Sequence, residues 1–122
     1  MIINPKKIIE MNAVKNVDPD ALQPNSIDLT LHSAEHILDH GVLYKTAKRL
    51  PLTAKVRSDG RMLTFDSYQC YSVTFNEHVK VPENMVGFIV CRSSLNRMGA
   101  FITSGLYDSG FDNYIGAVLR TL

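Results

Sequence analysis

The sequence predicts an all-β domain, a sandwich or barrel with one short helix at its N-terminus. Three observations carry that prediction. Several short runs rich in Val, Phe, Tyr and Thr follow one another along the chain, the residue types that suit a half-buried pleated surface. Turn-forming residues separate these runs. One short helix, at the N-terminus, accompanies them. The 122 residues form a single domain over 1–122, long enough to bury about two thirds of its unfolded surface.

In chain order, Pro5 suits a first helical turn and Asn4 can cap it. PKKIIEMN then sets Ile8, Ile9 and Met11 where one helix face can bury them. Residues 12–23 are loop-like, with DPD at 18–20 as the turn. SIDLTLH at 26–32 alternates, with Ile27, Leu29 and Leu31 on one face and Ser26, Asp28 and Thr30 on the other, the pattern of a half-buried strand. From 34 to 57 short apolar pieces are broken by charges and Gly41, and no element is assigned. SDGR at 58–61 is a hairpin-type turn. RMLTF, QCYSVTFNEHVKV and MVGFIVC read as strands, with PEN at 82–84 turning between the last two. GAVLRTL, at the end, is strand-like as well.

Composition excludes several classes of function. Hydrophobic residues make up 45% and charged residues 20%, which is ordinary for a globular domain. A net charge of +1 argues against bulk capture of nucleic acid, so any anion must be held by a local site. MIINPKKIIEMN contains no sustained apolar run; neither signal peptide nor membrane span is expected, and the compartment is most simply the cytoplasm. Cys70 and Cys91 stand alone, in no CxxC pair. Buried thiols are expected from them, and neither a disulfide nor a zinc site.

Four features could carry chemistry. HSAEH at 32–36 fits the H-x-x-E-H pattern of a zinc protease, with His40 extending the spacing. That chemistry needs both histidines on one helix face, whereas here the motif follows an alternating strand. Surface histidines on a strand end and loop are the plainer reading. CRSSLNRMG at 91–99 begins where an apolar run stops. Arg92 offers a planar fork of donors to a phosphate. Ser93 and Ser94 add hydroxyls and backbone N–H groups at the start of a helical turn that also includes Arg97. The alternative is a helix-capping serine pair beside two surface arginines. Asp28 is the only acid on its strand. It is either a solvated carboxylate or one of the one or two that Mg²⁺ uses beside a nucleotide's phosphates. Asp108 sits in the loop GLYDSGF, where a carboxylate could accept a proton from water, as a weak base. Gly105 and Gly110 allow backbone to approach a flat ligand, and Tyr107 and Phe111 could pack on a ring or sugar. The alternative is a turn whose Asp merely favours its geometry.

Taken in order, QPNSIDLTL, VPENMVGFIVCRSSLNRMG and GLYDSGF resemble the dUTPase / dCTP deaminase superfamily. The match runs from the N-terminal helix to about Leu119, with 33–62 contributing little. The resemblance implies a distorted jelly-roll-like β fold, a homotrimer with active sites between subunits, and Mg²⁺-dependent chemistry on pyrimidine deoxynucleoside triphosphates. It places Arg92, Ser93 and Ser94 on the phosphate-binding motif and Asp28 near the metal and its waters. Asp108 falls where the attacking water is positioned or activated. Gly105, Leu106 and Tyr107 fall on the hairpin that receives the uracil, and Phe111 packs under the deoxyribose. Asp112, followed by Asn113 and Tyr114, is the rival acid for the position given to Asp108.

The superfamily divides into two chemistries. Its deaminases carry a glutamate on the strand after the hairpin, five residues beyond a glycine. Counted from Gly116 that position is Thr121, and no acid follows Asp112. The resemblance therefore implies hydrolysis of dUTP to dUMP and pyrophosphate. A dCTP deaminase, mono- or bifunctional, and a non-catalytic nucleotide-binding module are the alternatives. It also implies further C-terminal strands and a mobile glycine-rich tail that these residues do not include.

Overall fold

The computed structural model describes residues 1–122. Helix α1 (Pro5–Glu10) opens the chain, and the Asn4 side chain accepts the Lys6 N–H at 2.9 Å, the expected cap. Strand β1 (Val14–Lys15), a 3₁₀ turn at Pro19–Ala21 and strand β2 (Leu31–Ile37) follow. Next come β3 (Val42–Leu43), β4 (Lys48–Arg49) and β5 (Thr53–Lys55). The long strand β6 (Cys70–Lys80), helix α2 (Ser93–Arg97), β7 (Ala100–Thr103) and β8 (Asp112–Thr121) complete the order.

The fold is all-β. One six-stranded antiparallel sheet runs β5-β2-β6-β8-β7, with β1 paired to the far end of β6. β3 and β4 form a separate two-stranded hairpin, and no closed barrel forms. β6 is the spine: Tyr71, Val73 and Phe75 point inward at every second position and pack with Ala34, Ile115 and Leu119. β8 passes so close to β6 that a Cβ on Gly116 would lie 2.8 Å from the Val73 carbonyl oxygen. Only glycine fits there without displacing a strand. No helix is long and apolar enough to cross a membrane.

Three segments that alternate like strands are not laddered. Residues 26–30 make a single bridge, Leu22 to Ile27, and the regular strand begins only at Leu31. Ile27, Leu29 and Leu31 are half-buried as the alternation requires, but the N–H groups of Asp28 and Thr30 bond Ala21 O and the Glu77 carboxylate instead of a neighbouring strand. RMLTF makes one bridge, Ser58 to Leu63, and MVGFIVC one, Gly87 to Tyr107. In the latter, Val86, Phe88 and Val90 face outward at 58%, 67% and 71% exposure. Alternation reports that an extended chain has one covered face. It does not report a hydrogen-bonded neighbour.

The unassigned stretch from 34 to 57 holds most of β2, the β3–β4 hairpin and β5. HSAEH lies wholly within β2. The SDGR turn forms as expected, with Gly60 at φ +86° and the Asp59 carboxylate accepting from Arg61 and Met62 N–H, both at 2.8 Å. Those two bonds hold the Asp59 carboxyl below its usual pKa. Both cysteines are free and half-buried.

Candidate functional site

The run 85–91 delivers Arg92 to the start of α2. Arg92 is the N-cap residue, with extended backbone and no capping bond from its side chain. Ser93 and Ser94 are the first two helical residues rather than caps, and neither hydroxyl bonds within the chain. The backbone N–H groups of this first turn likewise have no partner in the chain, the first internal bond being Asn96 N to Arg92 O. Gly99, at φ +79°, ends the helix where only glycine takes that conformation without strain.

With no cap to make, the Arg92 guanidinium reaches Asp28, 64 residues away in sequence, and donates from Nη1 to Oδ2 at 2.7 Å. The same oxygen accepts from Gln23 Nε2 at 3.0 Å, while Oδ1 makes no bond within the chain. Asp28 is the sheltered partner, its side chain 20% exposed against 64% for Arg92. The fold thus joins two residues that the sequence singles out separately. Beside them stand two free hydroxyls and an unpaired helical turn.

Asp108 belongs to a second, separate cluster. The turn Asp108–Phe111 closes with Phe111 N to Asp108 O at 3.1 Å and has Gly110 at φ +84°. Gly110 N donates to Val81 O, Val81 N to Phe111 O, and Ser109 Oγ to Met85 O, so the turn is seated on the preceding loop. The Asp108 side chain is exposed and has no hydrogen-bond or ion-pair partner in the chain. Asp112, its rival, is the first residue of β8 and is held by His78 Nε2 at 3.2 Å and Lys80 Nζ at 3.9 Å. Gly105 and Leu106 are exposed, whereas Tyr107 and Phe111 are half-buried against the core and meet edge to face at 4.9 Å. The Tyr107 hydroxyl bonds the Gly116 carbonyl and N–H; burial raises its pKa, and the bond to Gly116 only partly offsets that.

Gly87 and Tyr107 pair antiparallel, which sets Asp108 beside Val86 and leaves Arg92 six residues further along. At ~3.3 Å per residue those six residues span at most about 20 Å, and no hydrogen bond or ion pair joins the two clusters within the chain.

The zinc-protease pattern does not assemble. A β-bulge between Leu31 and Ser33 breaks the alternation across the motif: His36 lies opposite Tyr71, against the core, while exposed His32 turns to Asn76. The motif's partners are Asn76 for His32, Gln69 for His36 and Thr53 for Glu35. No group of three potential ligands forms anywhere in the chain. Thr121 fastens the Asp66–Gln69 turn to β8, donating to Asp66 O and accepting from Gln69 N at 3.1 Å. Two open clefts of about 360 Å³ each flank β5 and include none of the site residues; their lining shares no chemistry with the Arg92 or Asp108 clusters.

Two residues of the site were not singled out from the sequence. Gln23 sits in a loop and carries no signal. Glu77 does carry one: it falls in phase with Tyr71, Val73 and Phe75 on β6, so the alternation itself assigns a carboxylate to the buried face. It is fully buried there.

These two clusters, one rich in anion donors and one with a free carboxylate beside aromatic walls, sit on an all-β scaffold. A family model described as dCTP deaminase-like matches residues 4–121, and the chain belongs to that family. It is 29% identical to a probable deoxyuridine 5'-triphosphate nucleotidohydrolase of Aeropyrum pernix, the match covering 91% of this chain and 69% of that protein. It is 33% identical to a dUMP-forming dCTP deaminase of Persephonella marina, covering 94% and 69%. The crystal structure of the 2'-deoxycytidine 5'-triphosphate deaminase of Agrobacterium tumefaciens superposes with a TM-score of 0.69 at 18% identity, over 95% of this chain and 39% of that one. That likeness establishes the shared fold. The superfamily of dUTPases and dCTP deaminases is therefore the one to which the chain is assigned.

Proposed function

We propose that these residues form the nucleotide site of a dUTP diphosphatase, which hydrolyses dUTP to dUMP and pyrophosphate. The observation that carries this reading is the Asp28–Arg92 pair beside the free donors of Ser93 and Ser94. Arg92 and the two serines would hold phosphate oxygens. Asp28 keeps Oδ1 free, which suits Mg²⁺, an ion that takes one or two carboxylates and completes its shell with phosphates and water. Bound there, Mg²⁺ supplies positive charge to the phosphates in the transition state. Asp108, with no competing partner, aligns a water for in-line attack on the α-phosphorus and accepts its proton. The new O–P bond forms as the bond to the pyrophosphate oxygen breaks. Gly105, Leu106 and Tyr107 frame the base, and Phe111 lies under the sugar.

Within one chain no hydrogen bond or ion pair joins Asp108 to Arg92. The reading places Asp108 of one copy beside Arg92 of another, as in a homotrimer with sites between subunits. The rival reading, a dCTP deaminase, is favoured by the names of relatives such as the Persephonella protein. Against it, Thr121 is engaged with backbone and no carboxylate lies on β8 beyond Asp112 to relay protons to the base.

A product assay with Mg²⁺ on dUTP, dCTP, dTTP and UTP tests the choice, run on the wild type and Asp108→Asn. Pyrophosphate from dUTP alone, lost in the variant, supports the diphosphatase. Ammonia from dCTP would replace it with the deaminase. Nucleotide binding with no turnover would leave a binding module.

A further inference from the structure

Glu77 has no role in the proposed chemistry, yet it is the most completely buried charged residue of the chain, at 0% exposure. No cation pairs with it. A buried carboxylate without a counter-ion is costly, and hydrogen bonds are its only compensation. All of those bonds come from Thr30. The Thr30 N–H lies 2.9 Å and 3.1 Å from the two carboxylate oxygens, and the Thr30 hydroxyl donates to Oε1 at 2.7 Å. The neighbouring Asn76 completes the grip, its side-chain amide donating to Thr30 Oγ1 at 2.9 Å and its backbone N–H to Thr30 O at 3.0 Å.

The placement of this clamp explains its use. Pairing of β6 with β8 breaks between Thr74 and His78, and pairing of β2 with β6 shifts between Leu31 and Ser33. Residues 28–30 lie outside any ladder; two backbone bonds, Asp28 N to Ala21 O and Asn76 N to Thr30 O, and the Glu77 carboxylate on Thr30 fix their course. A carboxylate suits the task because it only accepts, and its two oxygens can take a backbone N–H and a hydroxyl together. Two residues from Thr30 stands Asp28, whose Oδ2 in turn holds the largely exposed Arg92.

We propose that Glu77 is a positioning residue for the Asp28–Arg92 pair: its carboxylate holds Thr30 and so fixes the irregular segment that carries Asp28. Its consequence for metal and phosphate binding rests on the diphosphatase reading; its consequence for the ion pair does not. The ¹⁵N–¹H resonance of the Arg92 guanidinium reports the pair directly in the full chain, without turnover. In Glu77→Gln and Thr30→Val it should move to the position seen in Asp28→Asn, while the amides of Ile115–Leu119 keep wild-type shifts. Thr30→Ser, which retains both donors, should restore the wild-type resonance. Mg²⁺ titration followed by the Asp28 carboxylate carbon should show about 10-fold to 100-fold weaker binding in the first two variants, the range found when a group that orients a metal ligand is removed.

An Arg92 resonance unchanged in a folded Glu77→Gln or Thr30→Val protein would overturn the proposal. Should Glu77→Gln fail to fold, Thr30→Val decides alone. A wild type that turns over no nucleotide would overturn the diphosphatase reading, and the Arg92 resonance would still decide the positioning role.

Discussion

The two clusters of this chain are built by opposite means. The Asp28–Arg92 cluster is assembled largely through side chains, several from far along the chain: nearby Gln23 and distant Arg92 on Asp28, and Glu77 and Asn76 on Thr30. The Asp108 turn closes on itself and is seated almost entirely by backbone bonds, within 108–111 and to Val81 across the preceding loop. Its carboxylate is left without a partner, whereas the Asp28 carboxylate is already half engaged. A group that binds a fixed charge benefits from being held in advance; one that must take a proton needs an accessible acceptor. Substitutions should accordingly act on the Asp108 turn through rate, and on the Asp28–Arg92 cluster through binding.

The largest effect expected is from Asp108→Asn. It touches no hydrogen bond of the turn, so Tm should stay at the wild-type value while kcat for dUTP falls by about 10²- to 10⁴-fold, the usual contribution of a positioned base. Asp112→Asn is the control, since it disturbs only the His78 and Lys80 contacts at the start of β8. Steady-state kinetics on both variants would break the comparison if Asp112→Asn proved the more damaging.

Next in size is Gly116→Ala. A methyl at 2.8 Å from the Val73 carbonyl must push β8 from β6, and Gly116 also holds the Tyr107 hydroxyl. A loss of about 1–3 kcal/mol is expected from such overpacking, read as a lower urea midpoint. The damage should reach the Asp108 turn, whose aromatic wall hangs from this glycine, before it reaches Arg92. Arg92→Lys should act more mildly and on the other cluster. It keeps a charge but loses the planar fork, so KM should rise by about 10-fold, near 1.4 kcal/mol at 25 °C, with kcat little changed.

How much of this was legible in the sequence follows the same division. The local pieces were: the Asn4–Pro5 helix start, the SDGR turn and the PEN turn each depend on neighbours in sequence. The run from Gln69 to Val81 was legible because its alternation coincides with a real ladder. RMLTF and MVGFIVC were not, because a covered face looks the same whether or not a strand pairs beside it. The hairpin of β3 and β4 escaped notice since its strands are two residues each and carry no alternation, its turn closing with Tyr44 N to Ala47 O and its outer end held by Asp39 on Leu52 N–H and Arg49. The order of the motifs pointed to Arg92, Asp28 and Asp108. Contact between the first two, and separation from the third, came only with the fold.

The smallest effect expected concerns the wall of the Asp108 turn and appears only in alkali. Burial raises the Tyr107 pKa above its ordinary 10.0, so between those two values the folded chain holds a proton that the unfolded chain has released. Stability from this group is thus fully present below pH 10 and falls as pH rises toward the folded value. Tyr107→Phe cannot titrate, and it also leaves the Gly116 carbonyl and N–H without the hydroxyl. At neutral pH it should be the less stable protein by about 1 kcal/mol, the net worth of a typical hydrogen bond. As pH climbs past 10 the gap should close, because only the wild type pays out a proton to unfold. Urea midpoints of both proteins across that range measure the gap. Parallel, offset curves would mean that burial does not hold the Tyr107 proton; coincident curves at neutral pH would mean that the hydroxyl does not tie this wall to β8, and the contrast between a backbone-seated turn and a side-chain-built cluster would then rest on the Val81 bonds alone.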